Sequence, residues 1–258
     1  VKLKKNYFSI IGKGLGGYKY KKNIIINFQN SGTLGRLILG ILVDTPYKIK
    51  IIGDKSLSKR DFSRIAEPLS KFGVKIKLTK KSLPLTIKGT KNLRPINYVE
   101  KKGSAQCKSS IIFAGLKTEG TTKIKAKKSR NHTELISKYL GLPVKVKKLK
   151  NYDLIEVNKA KKIKPLNYKI PSDISSGAFF IVLTALMDNS KLLIRDVNIN
   201  PSRVGVITIL KKMGVNIIIN NQKNYKGELI ADIFVKSSKK LKAINCPSKL
   251  NSEAIDEF

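Results

Sequence analysis

The chain has 258 residues, 41% of them apolar, with 53 Lys and Arg against 17 Asp and Glu for a formal net charge of +36. That length exceeds one average domain and supplies enough apolar material for real cores, so two domains are expected. The longest apolar stretch, around Ala178–Met187, is too short to span a bilayer, and the start V-K-L-K-K-N-Y-F lacks the apolar run of a signal peptide.

In chain order, one plan occurs three times. The first copy, Asn30–Ile76, opens with N-S-G-T-L-G-R-L-I-L-G-I-L, continues through the strand K-I-K-I-I at Lys48–Ile52 and the turn Lys59-Arg60 into a second helix, and ends at Gly73. The second, Gly103–Val144, opens with G-S-A-Q-C-K-S-S-I-I-F-A-G-L and passes through T-K-I-K-A-K at Thr122–Lys127, Ser129-Arg130 and Gly141. A charged, repeat-poor segment, Lys145–Lys169, carries Pro165 and reads as a terminal strand followed by a hinge, which puts a domain boundary near Tyr168. The third copy, Asp173–Ile217, opens with D-I-S-S-G-A-F-F-I-V-L-T-A-L and reaches Ser202-Arg203 and Gly214. Ser31, Ser104 and Ser175 fall roughly 70 residues apart, a period that marks internal repeats.

The first helix of each copy has almost no polar face, as in F-F-I-V-L-T-A-L-M at Phe179–Met187, and a helix apolar all round is expected to be buried on all sides. The strands alternate polar with apolar residues, so one face of each sheet meets water. Buried helices within half-exposed sheets make an inside-out α/β arrangement.

Each buried helix starts with free backbone N–H groups at the positive end of its dipole. Asn30-Ser31-Gly32-Thr33 and Ser104-Ala105-Gln106 place hydroxyls, amides and a glycine there, a composition suited to phosphate or carboxylate and also to ordinary capping. Only seven of the basic residues are arginine, and Arg36, Arg60, Arg130 and Arg203 all lie inside the repeated motifs. Arginine provides the planar, bidentate grip on an oxyanion that lysine lacks. The lysines are spread along a chain rich in Lys, Asn and Ile, and aromatic-basic interleaving is absent, so no specific nucleic-acid partner is expected. Two cysteines, Cys107 and Cys246, build no disulfide framework, and reduced cytoplasmic thiols are the default. Cys107 reads as a small core residue and His132, the single histidine, as a packed or capping one.

Taken in order, these residues resemble the EPSP synthase (3-phosphoshikimate 1-carboxyvinyltransferase) family. N-S-G-T-L-G-R at Asn30–Arg36 is similar to its G-N-S-G-T-x-x-R, with Gln29 in place of glycine, and G-D-K-S-L-S-K-R at Gly53–Arg60 to its G-D-x-S-L-x-x-R-P, with Asp61 in place of proline. L-P-L-T-I-K-G, R-P-I-N-Y, G-S-A-Q-C-K-S-S, S-R-N-H-T-E (Asn131 replacing aspartate), N-P-S-R-V-G and A-I-D-E-F continue the match. The S-A-Q and S-R-x-H-T-E forms are those of the class II branch. The resemblance implies an α+β fold, the alpha-beta prism or inside-out α/β barrel, built of βαβαββ units in two domains. Residues 1–168 would form the first, lacking its opening unit, and 169–258 the start of the second. Val1 and the ending A-I-D-E-F are expected to be cuts in a longer protein.

The implied reaction moves the enolpyruvyl group of phosphoenolpyruvate onto the 5-hydroxyl of shikimate 3-phosphate and releases phosphate, with no metal or organic cofactor. Ser104, Ala105, Gln106 and Arg130 match contacts to shikimate 3-phosphate, and Gly32, Arg60 and again Gln106 contacts to phosphoenolpyruvate. Asp256 matches the proton acceptor at the attacked hydroxyl; Glu257 beside it is given no role. Arg36 and Arg203 are expected to be structural, pairing with carboxylates across the repeats. The family's N-terminal Lys-Ser…Arg segment and later K-E-S-D-R motif have no match, so the 258 residues alone are expected to turn over little, and the complete enzyme to be a cytoplasmic monomer without membrane contact. Three alternatives stay open: UDP-N-acetylglucosamine enolpyruvyl transferase, whose P-G-G-C-type loop has no counterpart here, a basic RNA-binding module of related fold, and an inactive relic.

Overall fold

A computed structural model describes residues 2–238, 240–251 and 253–254. The chain divides into two compact units, the first taking the residues up to Lys128 together with Leu140–Pro165, the second Ser129–Tyr139 and the residues from Leu166 on.

The first unit opens with an antiparallel hairpin, β1 (Lys2–Lys4) and β2 (Tyr7–Ser9). Two copies of one motif follow. In the first, β3 (Ile25–Asn27) leads through helix α1 (Gly32–Ile41) to β4 (Ile49–Ile52), then through α2 (Ser63–Lys71) to the antiparallel pair β5 (Lys75–Thr79) and β6 (Ser82–Lys88), in sheet order β3-β4-β6-β5. The second runs β7 (Asn97–Glu100), α3 (Ala105–Gly115), β8 (Thr122–Lys127), α4 (His132–Tyr139), β9 (Val144–Lys148) and β10 (Tyr152–Val157), in order β7-β8-β10-β9. Both sheets have a parallel first pair, and every other neighbour is antiparallel. A parallel pair needs a crossover, which α1 and α3 supply.

The second unit repeats the motif once more: α5 (Ile174–Leu186), β11 (Lys191–Asn198), α6 (Gly205–Lys212), β12 (Asn216–Tyr225) and β13 (Glu228–Lys236), in order β11-β13-β12, with the short helix α7 (Ser248–Asn251) beyond. A parallel bridge between Ser172 and Val197 stands where the first strand would be. The order strand, helix, strand, helix, strand, strand thus occurs twice in full and a third time with that bridge in place of its first strand, an α+β fold whose helices cover one face of each sheet. Gly73, Gly141 and Gly214 end the second helix of each copy at φ +97°, +67° and +98°, the left-handed conformation that lets a helix terminate without a Cβ clash.

In β8 the apolar alternation turns Thr122, Ile124 and Ala126 inward and the lysines to water. Inside the first unit, α3 is buried at every residue from Cys107 to Ile112 and packs against α1. The two helices touch at small residues: a Cβ on Gly40 would stand 2.1 Å from the Ser110 carbonyl oxygen. At the far end of α1, the Lys117 ammonium donates to the Ile41 carbonyl and to both oxygens of Asp44, so a final helical carbonyl is satisfied by a cation.

The first helices are not all buried on every side. Leu34 of α1 is 47% exposed, and in α5 only Ile174, Gly177, Ala178, Ile181, Thr184 and Ala185 are buried while Phe179 is 75% and Phe180 61% exposed. Among the described residues the second unit holds a single sheet, which covers only one side of α5; all-round apolar character states what a helix can bury, not what is present to cover it. The place of α4 also differs from a reading by sequence order. Strands β8 and β9, on either side of it, belong to the first unit, yet α4 packs on β13 of the second. Side chains almost a hundred residues apart hold it there, and local pattern carries no trace of such a contact.

Candidate active site

The three first helices begin alike. Ser31 Oγ accepts from the Leu34 N–H at 3.3 Å, Ser104 Oγ from the Cys107 N–H at 3.2 Å, and an Asp173 carboxylate oxygen from the Ser176 N–H at 3.0 Å. Each cap satisfies one of the unpaired donors of a first turn. In α3 this leaves the N–H groups of Ala105 and Gln106, the first two of the helix, without an intrahelical acceptor and at the positive dipole end. The loop before α3 is fixed from behind: the buried Glu100 carboxylate accepts from the Lys102 N–H at 3.0 Å and the Gly103 N–H at 2.7 Å, and Gly103 has φ +71°.

Gln106 ties the first two helix starts together. Its Oε1 accepts from Arg36 Nη1 at 2.9 Å and its Nε2 donates to Thr33 Oγ1 at 2.9 Å. Arg36 lies over the Phe62 ring, 5.2 Å from its centroid, and Gly32 opens α1 between two guanidinium groups: a Cβ there would stand 3.1 Å from Nη1 of both Arg36 and Arg60. Burial, then the neighbouring Arg64 and Arg60 charges, lower the Arg36 pKa from its usual value, with Asp61 opposing them. Like charges crowded at a helix start, with no carboxylate among Arg36's hydrogen-bond partners in the described residues, form a spot that an anion would stabilise. Arg60 is held there by the preceding loop, in which Asp54 accepts from the Leu57 N–H at 2.7 Å and donates its own N–H to the Gln29 carbonyl at 2.9 Å.

The third helix start is different. Arg203 Nη2 donates to Asp173 at 2.9 Å and to Ser175 Oγ. Burial pushes the Asp173 carboxyl up, but hydrogen bonds from Ser176 and the Arg203 charge more than offset this and hold it below the usual carboxylate range. Here the protein's own carboxylate sits where an external anion would.

The fold thus brings Gly32, Arg60 and Gln106 together in the first unit, with Ser104 and Ala105 opening the helix that carries Gln106. Arg130 lies in the second unit, and Asp256, with Glu257, falls outside the described residues. Arg203 is paired as expected of a structural arginine, though within its own repeat. Arg36 is joined to the next repeat as expected, but through the amide of Gln106 rather than through a carboxylate. Sequence reading gave no role to Arg64, Glu100 or Asp54, and took Thr33 only as a hydroxyl at the start of α1. The motif position of Arg36, one turn beyond Gly32, was the available signal. Cys107 is 2% exposed, its thiol donates to the Arg64 carbonyl at 3.2 Å, and burial first of all pushes its pKa up to about 12, which leaves it no nucleophile. His132, read as a packed or capping residue, has its Nδ1 2.7 Å from a Glu228 carboxylate oxygen.

Among the described residues, no helix is long and apolar enough to cross a membrane. The sequence model of the EPSP synthase (3-phosphoshikimate 1-carboxyvinyltransferase) family matches residues 1–250. The 3-phosphoshikimate 1-carboxyvinyltransferase of Vesicomyosocius okutanii is 41% identical over 260 aligned positions, which take in 100% of this chain and 59% of that protein. That of Caldicellulosiruptor bescii is 42% identical over 232, covering 89% of this chain and 53% of its own length. A solved structure of the EPSP synthase from Acinetobacter baumannii superposes with a TM-score of 0.83 at 40% identity, covering 96% of this chain and 55% of that one. The chain therefore spans little more than half the length of such relatives, and with a family match along nearly all of it and a shared fold at this identity, it belongs to the EPSP synthase family.

Proposed function

We propose that the chain forms the greater part of the substrate-binding machinery of a 3-phosphoshikimate 1-carboxyvinyltransferase, which joins the enolpyruvyl group of phosphoenolpyruvate to the 5-hydroxyl of shikimate 3-phosphate. The observation that carries this reading is the meeting of two helix starts around Gln106, with Arg36 and Arg60 on either side of Gly32. Both substrates are phosphorylated, and neighbouring anions need fixed positive ends and guanidinium groups to share a cleft.

In this reading the N–H groups of Ala105 and Gln106, with the Ser104 hydroxyl, bind the 3-phosphate of shikimate 3-phosphate, and Arg130 adds a second contact to that substrate. Gly32 lets phosphoenolpyruvate approach the backbone of α1, Arg60 grips its carboxylate or phosphate, and Gln106 touches both substrates. The 5-hydroxyl adds to C2 of phosphoenolpyruvate as its proton passes to a base, for which Asp256 is the candidate. As the hydroxyl adds, C3 of phosphoenolpyruvate takes up a proton and becomes a methyl group; the tetrahedral adduct then loses phosphate from C2 and a proton from C3, which re-forms the enolpyruvyl double bond. No step requires a metal or organic cofactor. We place the complete protein in the cytoplasm as a two-domain monomer, with Ser129–Tyr139 and the residues from Leu166 on in one domain and the rest of this chain in the other.

Phosphate release by the full gene product tests the reading, with phosphoenolpyruvate and either shikimate 3-phosphate or UDP-N-acetylglucosamine as acceptor. Release with shikimate 3-phosphate alone is expected. Release with the nucleotide sugar, or with neither acceptor, would contradict the assignment.

A further inference from the structure

Glu228, 4% exposed, opens β13, and two other chain segments converge on its carboxylate. His132 Nδ1 stands 2.7 Å from one oxygen, and the amides of Asn198 and Asn200 donate to the other at 3.1 and 3.3 Å. The same Asn200 amide donates at 2.9 Å to Oδ1 of Asn131, while its own oxygen accepts from the N–H of Ser202 at 2.9 Å and its hydroxyl at 2.7 Å. The adjoining turn is seated just as closely: a Cβ on Gly227 would come within 2.9 Å of the Leu135 carbonyl oxygen in α4. The two residues that follow Arg130 are therefore both tied, one directly and one through Asn200, to a single carboxylate taken out of water.

We infer that Glu228 is a positioning residue, which fixes Asn131 and His132 and thereby aims the Arg130 guanidinium at the shikimate 3-phosphate. The inference rests on the assignment of Arg130 as a contact to that substrate. Apolar packing seats a helix without the desolvation a buried carboxylate brings, so stability alone is a poor reason for one here. What a carboxylate adds is direction: its two oxygens accept from donors at set angles, which fixes the register of the segment as well as its burial. His132 and Glu228 also line a cavity of about 380 Å³ together with Tyr168, Asp173 and Arg203, so the segment borders open space large enough for a small molecule.

The test compares Glu228→Gln, Glu228→Asp, His132→Gln and Arg130→Ala in the full gene product, reading KM for each substrate together with the thermal midpoint. Glu228→Gln is expected to raise KM for shikimate 3-phosphate about tenfold and KM for phosphoenolpyruvate less than about twofold. Glu228→Asp, which keeps the charge, is expected to recover most of the loss, and His132→Gln to reproduce part of it. An unchanged KM for shikimate 3-phosphate in Glu228→Gln, with Arg130→Ala raising it, would overturn this inference alone. So would a parallel rise in both KM values that tracks a fall in thermal midpoint, because a merely structural carboxylate behaves that way. An unchanged KM in Arg130→Ala would remove the substrate contact itself and overturn both readings.

Discussion

Replacing Gly40 by alanine sets two opposing effects of known size against each other. Alanine is the better helix former by about 1 kcal/mol, so an exposed glycine in α1 would gain from the change. Gly40 is not exposed: the new Cβ would lie 2.1 Å from the Ser110 carbonyl oxygen, 2.8 Å from its carbon and 2.9 Å from its Cα. All three are backbone atoms of α3, buried along this stretch, so no flexible side-chain end can swing aside. An ordinary carbon–oxygen contact is about 3.3 Å, so the helices must separate by roughly 1 Å. Overpacking of this kind costs about 3 kcal/mol, which leaves a net loss near 2 kcal/mol and a fall in midpoint of about 4–8 °C for a domain of this size. The same displacement would stretch the two 2.9 Å hydrogen bonds of Gln106 beyond useful length, so anion affinity should fall with stability. Scanning calorimetry with and without shikimate 3-phosphate measures both. A Gly40→Ala chain as stable as the parent, with ligand binding intact, would refute the close approach of α1 and α3 and the argument that Gln106 depends on it.

Other expectations follow from the same geometry. Gly32→Ala pushes against the ends of Arg36 and Arg60, which can move, so the midpoint should shift by less than about 1 °C while affinity for phosphoenolpyruvate drops about tenfold; a titration of the folded variant decides. Gln29 takes φ +50° where the family motif has glycine, so Gln29→Gly should raise stability by roughly 0.5–1 kcal/mol in urea unfolding. A thiol reagent should modify exposed Cys246 quickly and buried Cys107 only on unfolding; two fast thiols would contradict the burial of α3. Glu228 feels burial, which raises its pKa, but hydrogen bonding to His132, Asn198 and Asn200 brings it below the usual value. A group depressed in the folded state contributes stability above its unfolded pKa, about 4.3 for Glu, and loses it as pH falls through the lower folded value. Urea midpoints measured from pH 6 downward should therefore fall less steeply in Glu228→Gln.

Much of this was legible because the repeat is written in residues whose local physics is strong. Ser31, Ser104 and Asp173 cap their helices through short-range hydrogen bonds, and Gly73, Gly141 and Gly214 end the second helices through a backbone preference, so pattern alone located the three helix starts and the three glycines, though not Asp173 as the third cap. What escaped depends on distant partners. The hydrophobicity of α5 says nothing about whether a second sheet lies beside it, and Phe179 and Phe180 remain exposed. Arg36 reads as the partner of a carboxylate, but the group that accepts its hydrogen bond is Gln106, 70 residues later. The third helix start resembles the other two in composition, but Asp173 and Arg203 neutralise one another there. Nor does sequence order reveal that α4, carried between strands of one unit, is gripped by Glu228 of the other.

The most direct test of the central claim is calorimetric titration of the 258-residue chain with shikimate 3-phosphate, with unphosphorylated shikimate and an unrelated RNA as comparators. Saturable binding of shikimate 3-phosphate is predicted, much weaker binding of shikimate, and at least a tenfold loss of the former in Gln106→Ala, about 1.4 kcal/mol. Equal affinity for the two shikimates, or binding of the RNA alone with steep salt dependence, would contradict it.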